Sequence, residues 1–203
     1  MKMTNPKRLT PPLKWHGGKH YLAPKIVGLM PRHMHYVEPY CGGAAVLLAR
    51  DPADPAKFWG QANHEQGVSE VINDVDADLT TFWRVLQNPD RFQEFARIVA
   101  AMPFSESEWN TAATAPGGNE VDRAVHFFVH CRQSLAGRGR EFTSLSRNRT
   151  RRGMNEQASA WLSCVDGLAD VHRRLQRVNA CHIAGTAIAD YQRKSEVLSH
   201  ETD

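Results

Sequence analysis

Val37-Glu38-Pro39-Tyr40-Cys41-Gly42-Gly43-Ala44-Ala45-Val46 is the stretch around which the rest of the chain is read. A short apolar strand, His35 to Glu38, ends on an acidic residue. A Gly-Gly turn follows, and small residues then open a helix expected from about Ala44 to Ala49. This order brings backbone N–H groups close to a bound ligand, because glycine permits both a tight turn and a close approach.

Towards the N-terminus lies Leu13-Lys14-Trp15-His16-Gly17-Gly18-Lys19. An aromatic, two glycines and a lysine within five residues can form the corner of a pocket, Trp15 as a flat apolar wall and Lys19 as a cation for a carboxylate or phosphate. Residues 1 to 12 read as a basic arm stopped by Pro11-Pro12, and a helix is expected over Tyr21 to Leu29. Towards the C-terminus, Arg50 to Gly67 is broken by Asp51-Pro52 and Asp54-Pro55 and reads as a loop. Val68 to Ile72 is the second strand, closing on Asn73-Asp74-Val75-Asp76-Ala77-Asp78. An acidic residue at the end of the second strand of an α/β unit suits the two hydroxyls of a ribose, and Asp74 lies nearest. Asp76 and Asp78 are assigned to capping the next helix. The acidic spacing lacks the later Gly and Glu that a calcium loop requires.

From Thr80 to Arg177 the chain reads as helical. Apolar stripes recur at helical spacing over Leu79–Leu86, Pro89–Ala101, Ser105–Ala113, Glu120–Arg132 and Glu156–Val178. His126 and His130 are four apart, but no HExxH and no third ligand accompany them, so they read as structural. Between Arg132 and Arg152 stand Arg132, Arg138, Arg140, Arg147, Arg149, Arg151 and Arg152 with a single acidic residue, Glu141. Such a block suits a polyanion. A third strand is expected at Cys181 to Ala184, and Asp190-Tyr191 opens a short last element.

The sequence therefore predicts an α/β fold: an incomplete Rossmann-like sheet with an inserted helical subdomain. Residues 1–79 would form a cofactor-binding half, 80–178 a target-recognition subdomain with its basic loop at 132–152, and 179–203 the return to the sheet. With 203 residues, 41% hydrophobic and 23% charged, the composition is that of a globular protein. No window approaches a membrane span and no signal peptide is read, so a cytoplasmic protein is expected. Cys41, Cys131, Cys164 and Cys181 form no CxxC and read as free thiols. No GK[ST] follows the Gly-Gly turn, which excludes a P-loop.

Three motifs in this order resemble the Dam-like DNA adenine-N6 methyltransferases. The family's KWxGGK matches Lys14 to Lys19, its VEPFxGxGxVxL loop matches Val37 to Leu47, and its ND(I/V)xxDL matches Asn73 to Leu79. The resemblance implies S-adenosylmethionine as cofactor and double-stranded DNA as substrate. Trp15 and Lys19 would line the methionine end; Glu38, Pro39, Gly42 and Gly43 would present backbone; Asp74 would bind the ribose. Arg132, Arg138 and Arg140 are candidates for reading bases, and Arg147, Arg149, Arg151 and Arg152 for contacting phosphates.

Two departures accompany the resemblance. The family's DNA-contacting NRxGxNG and VPFG-like stretches are replaced by Cys131–Gly137 and Thr143–Ser146, so no recognition sequence carries over. Its DPPY motif, which holds the flipped target adenine, is absent from all 203 residues. The first strand is then expected to keep an unpaired edge. The expectation is the N-terminal portion of a site-specific adenine-N6 methyltransferase of the restriction-modification kind: a truncated product, a gene fragment, or half of a split enzyme whose second polypeptide supplies catalysis, and inactive alone. The rival readings are a non-catalytic DNA-binding remnant and a different nucleotide-binding α/β protein.

Overall fold

The computed structural model describes residues 9–182 apart from 55, 58–67, 116 and 146. The element expected at Asp190-Tyr191 lies outside the described residues. Strand β1 (His35–Glu38) follows helix α1 (Ala23–Leu29), and helix α2 (Ala45–Ala49) leads to β2 (Ser69–Asn73). Five helices come next: α3 (Ala77–Gln87), α4 (Pro89–Ala101), α5 (Glu106–Thr114), α6 (Glu120–Gln133) and α7 (Glu156–Leu175). Strand β5 (Val178–Cys181) closes the described chain. The sheet is parallel, in the order β1-β2-β5, with Val37 opposite Val71 and Ile72 opposite Ala180. The structure is thus mixed α/β, with a small parallel sheet and five helices inserted between its second and third strands. Among the described residues β1 pairs with β2 alone.

Most helix starts follow from local chemistry. The Asp76 carboxylate accepts from the N–H groups of Asp78 and Leu79, Asn88 caps α4 ahead of Pro89, and Asn119 and Asp122 form a reciprocal capping box on α6. The expected stripes point inward. Leu79, Phe82, Trp83 and Leu86 of α3 are buried with Phe95, Phe128, Trp161 and Leu168 in one cluster that also takes in Leu13, Leu47 and Ile72. Phe82 is its hub, stacked on Phe128 at 5.8 Å between centroids and edge-on to Phe95 at 5.9 Å. The helices and the sheet therefore share a core.

Two expectations are corrected. The third strand begins at Val178 and runs to Cys181, earlier than expected, because α7 ends at Leu175 and the sheet register sets Cys181 opposite Asn73; 183 and 184 of the expected strand lie outside the described residues. The arginine-rich segment is not simply a loop. It holds a 3₁₀ turn at Leu135–Gly137 and a hairpin, β3 (Thr150–Arg151) with β4 (Met154–Asn155). The hairpin turns through Arg152 and Gly153, both with positive φ (57° and 73°). An Arg-Gly pair is a weak turn signal beside Asn-Gly, and so went unread.

A buried ion cluster ties the inserted helices to the sheet. Glu70, on the central strand, is 1% exposed. Its carboxylate accepts from Arg50 at 2.7 Å, from both terminal nitrogens of Arg174 at 2.6 Å, and lies 3.6 Å from the Arg177 Nε. Arg50 also lies 3.9 Å above the Tyr36 ring and donates to His33 Nε2 at 2.6 Å. Since guanidinium only donates, His33 Nε2 is the acceptor, and its Nδ1–H donates to the Pro31 carbonyl. Removing the one carboxylate leaves buried arginines without their anion. Glu70→Ala is expected to cost about 3–5 kcal/mol of stability in urea unfolding; a change under about 1 kcal/mol would refute this role.

Candidate functional site

The C-terminal ends of β1 and β2 open into a pocket of about 210 Å³. Trp15, Gly18, Lys19, Glu38, Gly42, Gly43 and Asp74 line it, together with Tyr40, Cys41 and Ala45. Three segments expected to cooperate, 14–19, 37–47 and 73–79, therefore converge on one space. This is where ligands bind in open parallel sheets.

Gly42 is the joint. Its N–H donates to the Asp74 carboxylate at 2.9 Å, and its carbonyl accepts from the Trp83 indole at 3.1 Å. Its φ is +49°, and a Cβ there would stand 2.6 Å from Trp15 Nε1. A Cβ on Gly43 would stand 3.1 Å from that of Trp15. The indole thus lies where the glycines have no side chains, and the KWxGGK segment closes directly on the turn. Asp74 is held on both oxygens, by Gly42 and by the N–H of Asp76 at 3.2 Å, which orients its carboxylate towards the pocket while leaving lone pairs free.

Glu38 differs from the expectation that its stretch would present backbone. Its side chain is 8% exposed, and the residue lines the pocket. It accepts from the Tyr36 hydroxyl at 3.0 Å and lies 3.9 Å from the Lys19 ammonium. Burial pushes the carboxyl above the usual range, partly offset by Tyr36, Lys19 and Arg50. Tyr36 in turn is driven upward by burial and by Glu38, so it remains a donor. Burial, with Asp74 and Glu38 nearby, likewise raises the Cys41 thiol, which stays neutral on the pocket wall.

Pro39 is not brought to the pocket; its carbonyl instead accepts from the Asn73 side chain at 3.0 Å, bracing the two strand ends. Gly17, Gly18, Tyr40 and Cys41, all within the two quoted motifs, and Ala45 also reach the pocket. Of these the Gly17-Gly18 bend was legible from its motif. Ala44 carries a further lesson: it occupies the place of the second glycine in VEPFxGxGxVxL, and its φ is +50°. The backbone keeps the glycine-like conformation although the side chain has changed.

The arginines divide. Arg138 and Arg140 are exposed and line a cleft of about 360 Å³ with Trp15, His16 and Gly137. Arg151 and Arg152 project at the hairpin turn, Arg147 is exposed before it, and Arg149 lies 3.6 Å from Glu156. Arg132 is half-buried, donating to the Ala160 carbonyl of α7 at 3.2 Å. His130 stacks on Trp109 with centroids 5.2 Å apart.

The pocket geometry predicts a contrast between two neighbouring positions. Gly42→Ala incurs left-handed strain of about 1–2 kcal/mol and collides with the indole. At Ala44 the same strain is already present, so Ala44→Gly relieves it while losing one buried methyl worth about 0.8 kcal/mol. Urea unfolding is expected to show a clear loss for the first and a change within about 1 kcal/mol for the second. An equal loss in both would contradict the reading of the turn.

Comparison with known proteins bears out the resemblance. Residues 15–114 match the family D12 class N6 adenine-specific DNA methyltransferase. The chain is also 33% identical over 92 residues to the Type II methyltransferase M1.LlaDCHI of Lactococcus lactis subsp. cremoris. That alignment takes in 44% of this chain and 27% of the relative's length.

Proposed function

We infer that this chain, which matches the D12 class N6 adenine-specific DNA methyltransferases over residues 15–114, provides the S-adenosylmethionine side of an adenine-N6 methyltransferase together with a DNA-contacting face. The observation that carries the reading is the meeting of Trp15, Lys19, Glu38, Gly42 and Asp74 around one pocket at the strand ends, inside the matched segment. The donor set suits this cofactor. Asp74 offers acceptor lone pairs to a ribose diol. Glu38 can accept from an α-ammonium and Lys19 can meet an α-carboxylate. Trp15 excludes water from one wall. S-adenosylmethionine, when bound, supplies a methyl group on a sulfonium centre for transfer to an amino nitrogen.

Arg138 and Arg140, next to Trp15, and Arg147, Arg149, Arg151 and Arg152, on and before the hairpin, form the face towards double-stranded DNA. Residues 1–79 then act as the cofactor half and 80–178 as the target-recognition part. No DPPY-like tetrapeptide occurs in the 203 residues, so the groups that hold the flipped adenine come from outside this sequence, for example from a second polypeptide.

Calorimetry with S-adenosylhomocysteine and with ATP tests the pocket. Binding of the first and not the second is expected, abolished or weakened at least tenfold by Trp15→Ala and by Asp74→Ala; unchanged affinity in both variants would refute the assignment. A radiolabelled methyl-transfer assay on duplex DNA tests the missing acceptor side. The 203-residue chain alone is expected to give no transfer, and turnover above background would overturn that expectation.

A further inference from the structure

A second cleft, of about 500 Å³, adjoins the pocket across Trp15 and reaches the end of α6. Its far side is made by Lys14 and Arg132, with Ala136 beside them. The two cations come from segments more than a hundred residues apart, and neither is neutralised among the described residues. Lys14 Nζ reaches only the Gln157 amide oxygen, at 3.4 Å, and Arg132 reaches only the Ala160 carbonyl. The Cys164 thiol interacts with both, but burial raises it despite Arg132 and Lys14, so it carries no charge. Two like charges side by side with neutral partners form a seat for an anion.

The seat is built with some strain. The backbone turns left-handed at Ala136 (φ 53°) and Gly137 (φ 68°), and a Cβ on Gly137 would stand 1.7 Å from the Lys14 carbonyl oxygen. The arginine-bearing loop is therefore seated on the KWxGGK backbone, and Arg138 and Arg140 continue from it along the cleft on the other side of Trp15. The cations follow one another around the indole, and among the described residues no carboxylate lines either cleft. A run of single-sign charge of this kind tracks a polymer of phosphates rather than one small anion.

We propose that Lys14 and Arg132 together hold one phosphate of the DNA backbone, directly beside the cofactor pocket. The inference rests on the reading of the chain as a DNA methyltransferase, and it moves Arg132 from base reading to backbone contact. A guanidinium half-buried and bonded to an α7 carbonyl is tied back from the base edges of a groove. The Lys14 ammonium, lowered to about 8 chiefly by burial and then by Arg132, gains the anion that its site lacks. A phosphate favours its protonated form, so DNA affinity falls as the pH rises above about 8. The other titratable groups at the cleft, His20, Tyr21 and Cys164, are common to the chain and its variants.

The test is fluorescence anisotropy of a short labelled duplex with the 203-residue chain, over a range of salt and at pH 7 to 9.5. Lys14→Met combined with Arg132→Met is expected to lower the slope of log affinity against log salt by about 0.9, the value of one phosphate contact, and Lys14→Met alone to lower it by part of that and to abolish the pH dependence above 8. Lys14→Arg is expected to restore the slope, which separates lost charge from lost fold. An unchanged slope in Lys14→Met overturns the proposal. So does a loss of S-adenosylhomocysteine binding in that variant with DNA binding intact, which would place Lys14 in the cofactor site. Failure of the unaltered chain to bind DNA while it still binds S-adenosylhomocysteine would also overturn it, and would leave the cofactor reading standing.

Discussion

The contact between the Trp15 indole and the Gly42-Gly43 turn is the constraint on which the rest of the site depends. It joins the start of the chain to the first strand–helix connection, and the Asp74 carboxylate completes the joint from the second strand. Each group at Gly42 is used: the N–H holds Asp74, the carbonyl holds Trp83, and the absent side chain makes room for the indole. One residue therefore positions an acceptor carboxylate, an aromatic wall and a core tryptophan together. A side chain there would disturb all three.

The far end of the sheet carries a different device. Glu70 gathers Arg50 from the end of α2 and Arg174 and Arg177 from the end of α7. The long helical insertion is thus returned to the sheet with its last strand in register. Burying charge is costly, and the cost is offset only where every acceptor site is matched by a donor. Here the carboxylate is fully matched by its arginines, and Arg50 reaches onward over Tyr36 and so towards Glu38 in the pocket. The ion cluster and the pocket lie on opposite ends of the same strands and are linked through Tyr36.

Charge is distributed to match. Around the pocket, acids and bases are paired or hydrogen-bonded within the chain. Around Trp15 on its other side, Lys14 and Arg132 have only neutral partners among the described residues. A surface that leaves its cations unneutralised beside a paired interior has a site for an external polyanion. The left-handed turn at Ala136 and Gly137 keeps that surface against the KWxGGK segment, so the pocket and the basic cleft share one piece of backbone.

By itself the sequence determined the order of the sheet strands and the long helices, the Asp76 cap and the three segments of the pocket. These are local matters: a carboxylate two or three residues ahead of the N–H groups it accepts from, a stripe of apolar residues every third or fourth place, and glycines where the chain must turn. It also revealed Trp15, Lys19 and Asp74 as candidates, because residue type and position beside a strand end carry that information. Only the tertiary structure decided that Glu38 enters with its side chain, that Pro39 stays behind the strand, and that Arg132 is tied to α7 instead of facing outward. It alone brought Glu70 to its three arginines and Gly137 to Lys14. Those contacts join residues from about twenty to more than a hundred positions apart, and no periodicity or spacing encodes them. They arise when the shared apolar core closes and fixes which distant polar groups must satisfy one another.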